Sequence, residues 1–390
     1  MDALTTPSNW QRVRLGDIFF ITAGGDLSKP HYSNTKQSDF NYPIYSNAIE
    51  KKGLYGYSSF FIIKNKSITI TSRGTIGVAF FRDYPYVPIG RLLVLQPKIS
   101  NIDCRFYAEY INSKVKFNTE QTTIPQLTIP KVALCEIPLP PLDEQIAIAN
   151  ILSALDHYLY SLDALILKKE SVKKALSFEL LSQRKRLKGF NQAWQRVRLG
   201  DIAEIKRGVR ITKNELDVFG KYPVVSGGVG FLGYTNNFNR YENTITIAQY
   251  GTAGFVNWQN QKFWANDVCF CVYPNKDVIK NIFLYYFLKV NQNCLYEISN
   301  RNATPYSISK DKILDFEILL PPLDEQIAIA NILSALDHEI ISLKNKKRQF
   351  ENIKKALNHD LMSTKIRVLK KIKRPKSQGQ TRLKRKPLSF

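Results

Sequence analysis

The segment LPPLDEQIAIANILSALDH at Leu139–His157 recurs without a change at Leu320–His338. A second segment, WQRVRLGDI at Trp10–Ile18, recurs at Trp194–Ile202. The distance between copies differs slightly for the two segments, so the sequence between them has changed in length while the repeated segments stayed identical. Such repetition indicates an internal duplication. Each half of the chain is therefore a variable block followed by a constant block.

The constant blocks predict long helices. Asp143 and Glu144 follow two prolines, as do Asp324 and Glu325, and each pair places negative charge at the positive end of a helix dipole. This placement explains the acidic pairs better than acid-base catalysis does. In the second copy, successive inward positions alternate spacings of four and three, which is a heptad pattern. These positions are Ile329, Leu333, Leu336, Ile340, Leu343, Lys347, Phe350, Lys354, Leu357 and Leu361.

The first copy follows the same pattern from Ile148 to Ile166 and then drifts toward Val172, Leu176 and Leu180. Because domains and helices alternate along the chain, we expect the two helices to pair antiparallel and to give an approximate two-fold axis. A helix over Leu142–Arg186 would be about 67 Å long at ~1.5 Å per residue. Helices of that length could hold two domains apart.

The variable blocks share only a sparse skeleton. The stretch SITITSRGTIG at 67–77 matches TITIAQYGTAG at 244–254, and each is typical of a β-strand that ends in a glycine-framed turn. Helical spacing follows at Phe106–Val115 and Ile282–Leu288. The sequence thus predicts a mixed α/β (α+β) fold: two domains separated by two long antiparallel coiled-coil helices, in a pseudo-two-fold internal repeat.

Charge points to a polyanionic partner. The 390 residues include 56 Lys and Arg against 33 Asp and Glu, a formal net charge of +23. Residues 365–390 contain many of these cations and no acid, yet the rest of the chain is basic without them. Nucleic acid is therefore the first partner to consider.

Several other functional classes find no support in the sequence. It contains no phosphate-binding loop, no N-P-P-[YF]-like tetrad for amino methylation and no metal-binding acidic cluster. Its five scattered cysteines fit neither a disulfide framework nor a zinc site. The chain also lacks a long apolar run and a signal pattern. We expect a cytoplasmic protein with no membrane partner, and neither metal nor cofactor in this chain.

The arrangement resembles the specificity subunit of type I restriction-modification systems. The resemblance is carried by the WQRVRLGDI openings and by the helix starts PLPPLDEQIAIANIL at 138–152 and LLPPLDEQIAIANIL at 319–333. It implies target-recognition domain 1 at 1–139, a helical spacer at 140–189, target-recognition domain 2 at 190–319 and a second spacer at 320–364. Residues 365–390 fall outside the pattern and form a basic tail that we expect to be unfolded when free.

The resemblance also implies function and partners. Each recognition domain would read one half of a split target in double-stranded DNA, and the helices would set the gap between the halves. Two methyltransferase subunits would dock on the helical region, with restriction subunits as further possible partners. S-adenosylmethionine, ATP and Mg would be bound by those partner subunits. Because the two variable blocks differ, we expect an asymmetric target rather than a palindrome.

Candidate DNA contacts lie on polar turns of both domains. Arg73 suits guanine and Gln249, with Tyr250 beside it, suits adenine, because these are the usual bidentate pairings of the two side chains. The alternative is that both are solvated residues of ordinary turns. The further candidates are Lys29, Tyr45, Asn47, Arg91 and Gln126 in the first domain, and Arg207, Arg210, Lys213, Arg301 and Asn302 in the second.

Two other functional classes stay open at this point. One is a self-sufficient nuclease or methyltransferase with an unrecognised site, which would turn over substrate alone with metal or S-adenosylmethionine. The other is a coiled-coil scaffold, which would show no salt-sensitive binding to duplex DNA even with methyltransferase subunits present.

Overall fold

The computed structural model describes residues 10–117, 125–302, 304–363 and 365–368. The same order of elements occurs twice. The first half contains β1 (Gln11–Arg14), α1 (Leu15–Ile18), β2 (Phe19–Ala23), β3 (Tyr32–Ser33), β4 (Tyr42–Tyr45), β5 (Leu54–Ser58), β6 (Ser67–Ile70), β7 (Ala79–Arg82), β8 (Val87–Pro88), β9 (Leu93–Pro97), α2 (Cys104–Lys114), α3 (Ile129–Ala133), β10 (Glu136–Leu139) and α4 (Leu142–Leu181).

The second half repeats this order with small changes. It contains β11 (Gln195–Arg198), α5 (Leu199–Ile202), β12 (Ala203–Arg207), β13 (Tyr222–Val225), β14 (Gly233–Thr235), β15 (Thr244–Ala248), β16 (Val256–Gln259), β17 (Trp264–Ala265), β18 (Cys269–Pro274), α6 (Asn281–Val290), α7 (Gln292–Ile298), α8 (Lys310–Leu314), β19 (Glu317–Leu320) and α9 (Leu323–Met362). The predicted mixed α/β class, the strands β6 and β15 and the helices α2 and α6 are confirmed.

The chain forms two compact units. Unit 1 consists of Met1–Ser161 with Arg348–Phe390, and unit 2 consists of Leu162–Lys347. Each unit therefore combines one variable domain with part of both long helices. The finer division at residues 139, 189, 319 and 364 stays a prediction, and the basic tail beyond residue 368 lies outside the described residues.

Each variable domain is built on a four-stranded antiparallel sheet. In unit 1 the strand order is β2-β9-β6-β7, and in unit 2 it is β12-β18-β15-β16. A smaller sheet accompanies each, in the orders β3-β5-β4-β8 and β14-β13-β17. Helix α2 buries Phe106 and Ile111 against the sheet residues Ile68 and Ile70, because all four are apolar and inward-facing.

The two repeated segments meet at a strand–helix joint. In unit 1, β1 pairs antiparallel with β10, so Gln11 lies opposite Leu139, and the Trp10 Nε1–H donates to Glu144 Oε2 at 2.9 Å. Unit 2 repeats the pairing through β11 and β19, and the Trp194 Nε1–H donates to Glu325 Oε2 at the same distance. Segments far apart in sequence are therefore parts of one structure, which explains why both are repeated together.

The glutamine that follows each of these glutamates ties the long helix to the domain. Gln145 accepts the Asp103 N–H at 2.9 Å, where α2 begins, and donates to Pro140 O at 2.8 Å. Gln326 likewise accepts the Lys280 N–H at 2.7 Å, where α6 begins. Both glutamines are fully buried, so each satisfies main-chain groups that water cannot reach.

The long helices α4 and α9 each contain 40 residues, or roughly 60 Å at ~1.5 Å per residue. The expected end of α4 at Arg186 is wrong, because the helix ends at Leu181 and Gln183 adopts a left-handed φ of 62°. In unit 2, Asp163 of α4 pairs with Lys347 of α9, and Glu170 pairs with Lys344. The paired numbers run in opposite directions, so the helices are antiparallel there.

The heptad pattern of α9 is confirmed, and in α4 the predicted inward positions Leu176 and Leu180 are confirmed while Val172 is wrong. Val172 is exposed, and the spacing of four and three continues instead through Lys169 and Lys173. Lys169 Nζ lies 2.8 Å from Glu339, and Lys173 Nζ lies 2.5 Å from Asp337. These lysines stay inside the pattern because their charged ends are neutralised beside the seam while their stems pack along it.

Candidate nucleic-acid interface

In unit 1, four of the predicted DNA contacts lie around one buried serine, Ser72. The Ser72 N–H donates to Asn47 Oδ1 at 2.7 Å, and the Ser72 hydroxyl donates to Arg91 O at 2.7 Å. The Leu127 N–H donates to Ser72 O at 2.9 Å. We call Ser72, Asn47, Arg73, Arg91 and Gln126 the Ser72 cluster. Its members come from four separate loops that the fold brings together.

Two members of the Ser72 cluster, Arg73 and Arg91, are exposed arginines. The Arg73 Nη2–H donates to Gln126 Oε1 at 3.3 Å, which fixes the direction of the guanidinium group. Arg91 has a left-handed φ of 62°, and the Arg91 N–H donates to Gly24 O at 3.0 Å. Asn47 differs from both arginines because its amide is engaged with Ser72 and with Gly90 O at 2.7 Å. It holds the loops in place and has little capacity left for DNA.

Tyr45 does not lie on a polar turn, so that prediction is wrong. The residue ends β4 and is buried, with the Arg82 guanidinium 3.6 Å above its ring centroid. Its hydroxyl is 2.7 Å from the Tyr84 hydroxyl. Burial, followed by the contact with Tyr84, raises the pKa of Tyr45. Lys29 is exposed in the 3₁₀ turn Lys29–His31, on another loop of the same domain.

The match of 67–77 with 244–254 pairs Ser72 with Gln249 and Arg73 with Tyr250, and a main-chain hydrogen bond supports this pairing. Gln249 O accepts the Ile308 N–H at 3.0 Å, as Ser72 O accepts from Leu127. Gln249 therefore stands in the place of Ser72, and Tyr250 stands in the place of Arg73. The Gln249 Oε1 atom is buried without a hydrogen-bond partner among the described residues, whereas Tyr250 is 37% exposed. Of the two, Tyr250 has the outward position.

Arg301 and Asn302 lie on a loop that adjoins this turn. The Gly251 N–H donates to Tyr306 O at 3.1 Å, and Tyr250 forms a bridge with Ser307. The Arg301 guanidinium lies 5.2 Å from the Tyr306 ring centroid, and its Nε–H donates to Tyr296 O at 3.0 Å. Both Arg301 and Asn302 are exposed. The second domain thus brings Tyr250, Arg301 and Asn302 to neighbouring loops.

Arg207 ends β12, and Arg210 and Lys213 lie on the segment that follows it. All three are exposed, and the Arg207 Nε–H donates to Asp267 O. The Ile211 N–H donates to Asn266 Oδ1 at 3.2 Å, while Asn266 Nδ2 donates to Ser226 Oγ at 3.2 Å. Asn266 thereby connects this segment to the loop after β13.

The sequence did not single out the residues that position these loops. Ser72 was indicated only by its place beside Arg73 in a glycine-framed turn, and Asn266 gave no signal. Exposed arginine, asparagine and tyrosine side chains on a fixed backbone can donate hydrogen bonds to base edges and phosphates. Among the described residues, no three His, Cys, Asp or Glu side chains are grouped so that they could hold a metal ion. Nor does the described part contain a helix of the length and apolarity that membrane crossing needs.

Similar proteins share this architecture. A protein of Mycoplasma pneumoniae, provisionally named a type I specificity subunit, is 25% identical over 331 residues, 83% of this chain and 88% of that protein. The specificity subunit of the type I restriction enzyme MjaVIII of Methanocaldococcus jannaschii is 25% identical over 412 residues, 94% and 95% of the two chains. The crystal structure of a type I restriction-modification S subunit from M. genitalium has the same fold, with a TM-score of 0.72 at 20% identity over 92% of this chain and 97% of that one.

The sequence also matches the family described as the type I restriction modification DNA specificity domain, at residues 7–169 and again at 191–352. The two matches coincide with the two halves of the duplication and together cover most of the chain. The protein therefore belongs to the type I restriction-modification specificity family and contains two copies of its domain.

Proposed function

We propose that this chain is the DNA-recognition subunit of a type I restriction-modification complex and reads an asymmetric, bipartite target. One observation carries the proposal: two domains of the same fold present different side chains at corresponding loop positions. Arg73 in unit 1 and Tyr250 in unit 2 are the clearest pair. A shared backbone with different surface groups suits two half-sites of different sequence, since base identity is read by side chains.

The repeated helix starts support docking of two methyltransferase subunits. Packing explains the identity of buried positions such as Ile148 and Ile329, but it does not explain identity at exposed ones. Asn150 and Asn331 are exposed and identical, as are His157 and His338. A partner that binds both copies in the same way would impose this identity. The helices would then serve as docking sites as well as the spacer that sets the gap between half-sites.

We further propose that catalysis resides in the partners. S-adenosylmethionine would be bound by the methyltransferase subunits, and ATP and Mg by restriction subunits where these are present. This division accords with the family, in which the chain is the specificity component. The described cysteines are all free thiols, which suits the cytoplasm as the place of action.

The test is to map N6-methyladenine genome-wide in cells that contain this chain with its methyltransferase subunit, and in cells that lack this chain only. We expect a split, asymmetric motif that is methylated only when the chain is present. The absence of any chain-dependent motif, with the methyltransferase shown to be active, would refute the proposal. Turnover by the purified chain alone would instead support the self-sufficient enzyme.

A further inference from the structure

The two domains place chemically different groups on the same backbone arrangement. Ser72 and Gln249 occupy corresponding positions because each accepts one main-chain hydrogen bond from the loop before the final short helix of its domain. The next residue is Arg73 in unit 1 and Tyr250 in unit 2. Both are exposed at a turn completed by a glycine with positive φ. The two domains therefore present different side chains, Arg73 and Tyr250, at the same outward position.

We propose that Arg73 reads a guanine in the half-site bound by unit 1, and that the other half-site lacks this contact because Tyr250 takes the corresponding place. This inference rests on the proposed function and deepens it by naming the side chain and the base. It also replaces the expectation that Gln249 reads adenine in unit 2, because the Gln249 Oε1 atom is buried and Tyr250 has the outward position.

The chemistry of Arg73 fits a guanine edge. A guanidinium group has five N–H donors in a planar fork, and guanine offers two acceptors, O6 and N7, in the major groove. One Arg73 donor is directed to Gln126 Oε1 at 3.3 Å, which leaves the others for the base. Because Gln126 already restricts the rotamers of Arg73, less conformational entropy is lost when the base is bound.

The backbone beneath Arg73 is fixed before DNA arrives. The N–H, the C=O and the hydroxyl of Ser72 all have partners at 2.7–2.9 Å, and the three partners, Asn47, Leu127 and Arg91, belong to other loops. On the far side, a Cβ added to Gly74 would meet no described residue within 4 Å. Among residues 10–117 and 125–139 of its domain, nothing lies close enough to Gly74 to obstruct the approach of this turn to a groove.

Unit 2 cannot reproduce this contact. Tyr250 has a single hydroxyl and offers no fork of donors. Gly227 stands where unit 1 has Asn47, because Ser226 and Gly227 follow β13 as Ser46 and Asn47 follow β4. A side chain is excluded there, since a Cβ at Gly227 would lie 2.3 Å from Tyr250 O. The loop carbonyl Gly227 O instead accepts from Thr252, through its N–H at 3.0 Å and its hydroxyl at 2.7 Å. The two turns are thus fixed by different bonds and present different chemistry.

The experiment combines methylation mapping with a base analogue. Arg73→Ala and the milder Arg73→Lys are compared with Lys29→Ala, an exposed cation of the same domain, and with Tyr250→Ala, in the full chain with its methyltransferase subunit. We expect Arg73→Ala to relax discrimination at one guanine of one half-site by roughly 5- to 150-fold, the effect of one bidentate contact. Lys29→Ala should weaken binding to all sequences alike, and Tyr250→Ala should alter only the other half-site.

A duplex with 7-deazaguanine at the relaxed position then isolates the N7 contact. The wild-type chain should lose affinity for it, whereas Arg73→Ala should bind both duplexes equally. Uniform loss across sequences would show that Arg73 contacts phosphate, and unchanged discrimination would show that it contacts nothing; either result overturns the assignment. If the wild-type chain directs no motif at all, the proposed function fails first, so the two failures are distinguishable.

Discussion

The sharpest test of the strand–helix joint is to remove the carboxylate of Glu325. Its side chain is 1% exposed and accepts three hydrogen bonds in unit 2. Arg186 donates from Nε to Oε1 at 3.0 Å and from Nη2 to Oε2 at 2.7 Å, and the Trp194 Nε1–H donates to Oε2 at 2.9 Å. The neighbouring acid, Asp324, is exposed in the same first turn of α9. It therefore serves as a matched control.

The two acids should differ widely in their effect on stability. Asp324→Ala removes only an interaction with the helix dipole, worth about 0.3–1 kcal/mol at an exposed position. Glu325→Ala breaks a buried ion pair and leaves the Trp194 N–H without an acceptor, for which about 3–5 kcal/mol is typical. Because the Arg186 side chain is 28% exposed and can be partly rehydrated, we expect the lower end of that range.

The free energy of unfolding of each variant can be measured in urea by tryptophan fluorescence. Hydrogen exchange of peptides over 194–207 and 317–330 would show whether the joint opens locally before the rest of unit 2. A Glu325→Ala effect no larger than that of Asp324→Ala would refute the joint. That result would favour the interpretation from sequence alone, in which both acids act only through their charge at the start of the helix.

Three further predictions concern packing, charge and the tail. Gly208→Ala places a Cβ 2.1 Å from Asn266 O and should destabilise the chain by roughly 1–3 kcal/mol, whereas Gly230→Ala meets nothing within 4 Å and should change stability by no more than about 1 kcal/mol in urea unfolding. Burial raises the pKa of Glu109 against the opposing effect of Lys354. The protonated carboxyl therefore contributes to folding stability at low pH, and this contribution is lost as pH rises through the raised pKa. Glu109→Gln should therefore gain stability relative to the wild type as pH rises from about 4 to 7, and a pH-independent difference would contradict this. Deleting the basic tail, residues 365–390, should weaken binding to all duplexes alike and reduce its salt dependence, because fewer cations displace counterions. A changed target motif would contradict a nonspecific role of the tail in DNA binding.

Local pattern was enough for the larger features of the fold. The repeated segments, the heptads of α9 and the strands before the two glycine-framed turns are all confirmed, because each depends on residues close together in sequence. Prediction failed where a side chain's surroundings come from distant segments. Val172 was chosen for the seam on hydrophobicity alone, yet Lys173 lies there because Asp337 of the other helix neutralises it.

The candidate site shows the same division. The sequence identified Asn47, Arg73, Arg91 and Gln126 as polar residues on turns, but nothing in their spacing indicated that they meet around Ser72. It also selected Tyr45, because a tyrosine hydroxyl can contact DNA. The structure shows that Arg82 and Tyr84 enclose this side chain. The match of 67–77 with 244–254 pairs Tyr250 with Arg73, but only the structure showed that the Gln249 Oε1 atom is buried while Tyr250 is exposed.

The sequence by itself determined the duplication, the helix–domain alternation and the basic character, since these follow from repeats, periodicity and composition. The family was identified by the resemblance that the repeated motifs carry. Only the tertiary structure decided which side chains share a surface and which are buried. The reason is physical: sheet pairing and loop closure bring together residues far apart in the chain, and burial depends on those neighbours. Glu325 illustrates both parts, because its place at a helix start is evident from the sequence, and its role in the joint depends on Trp194 and Arg186.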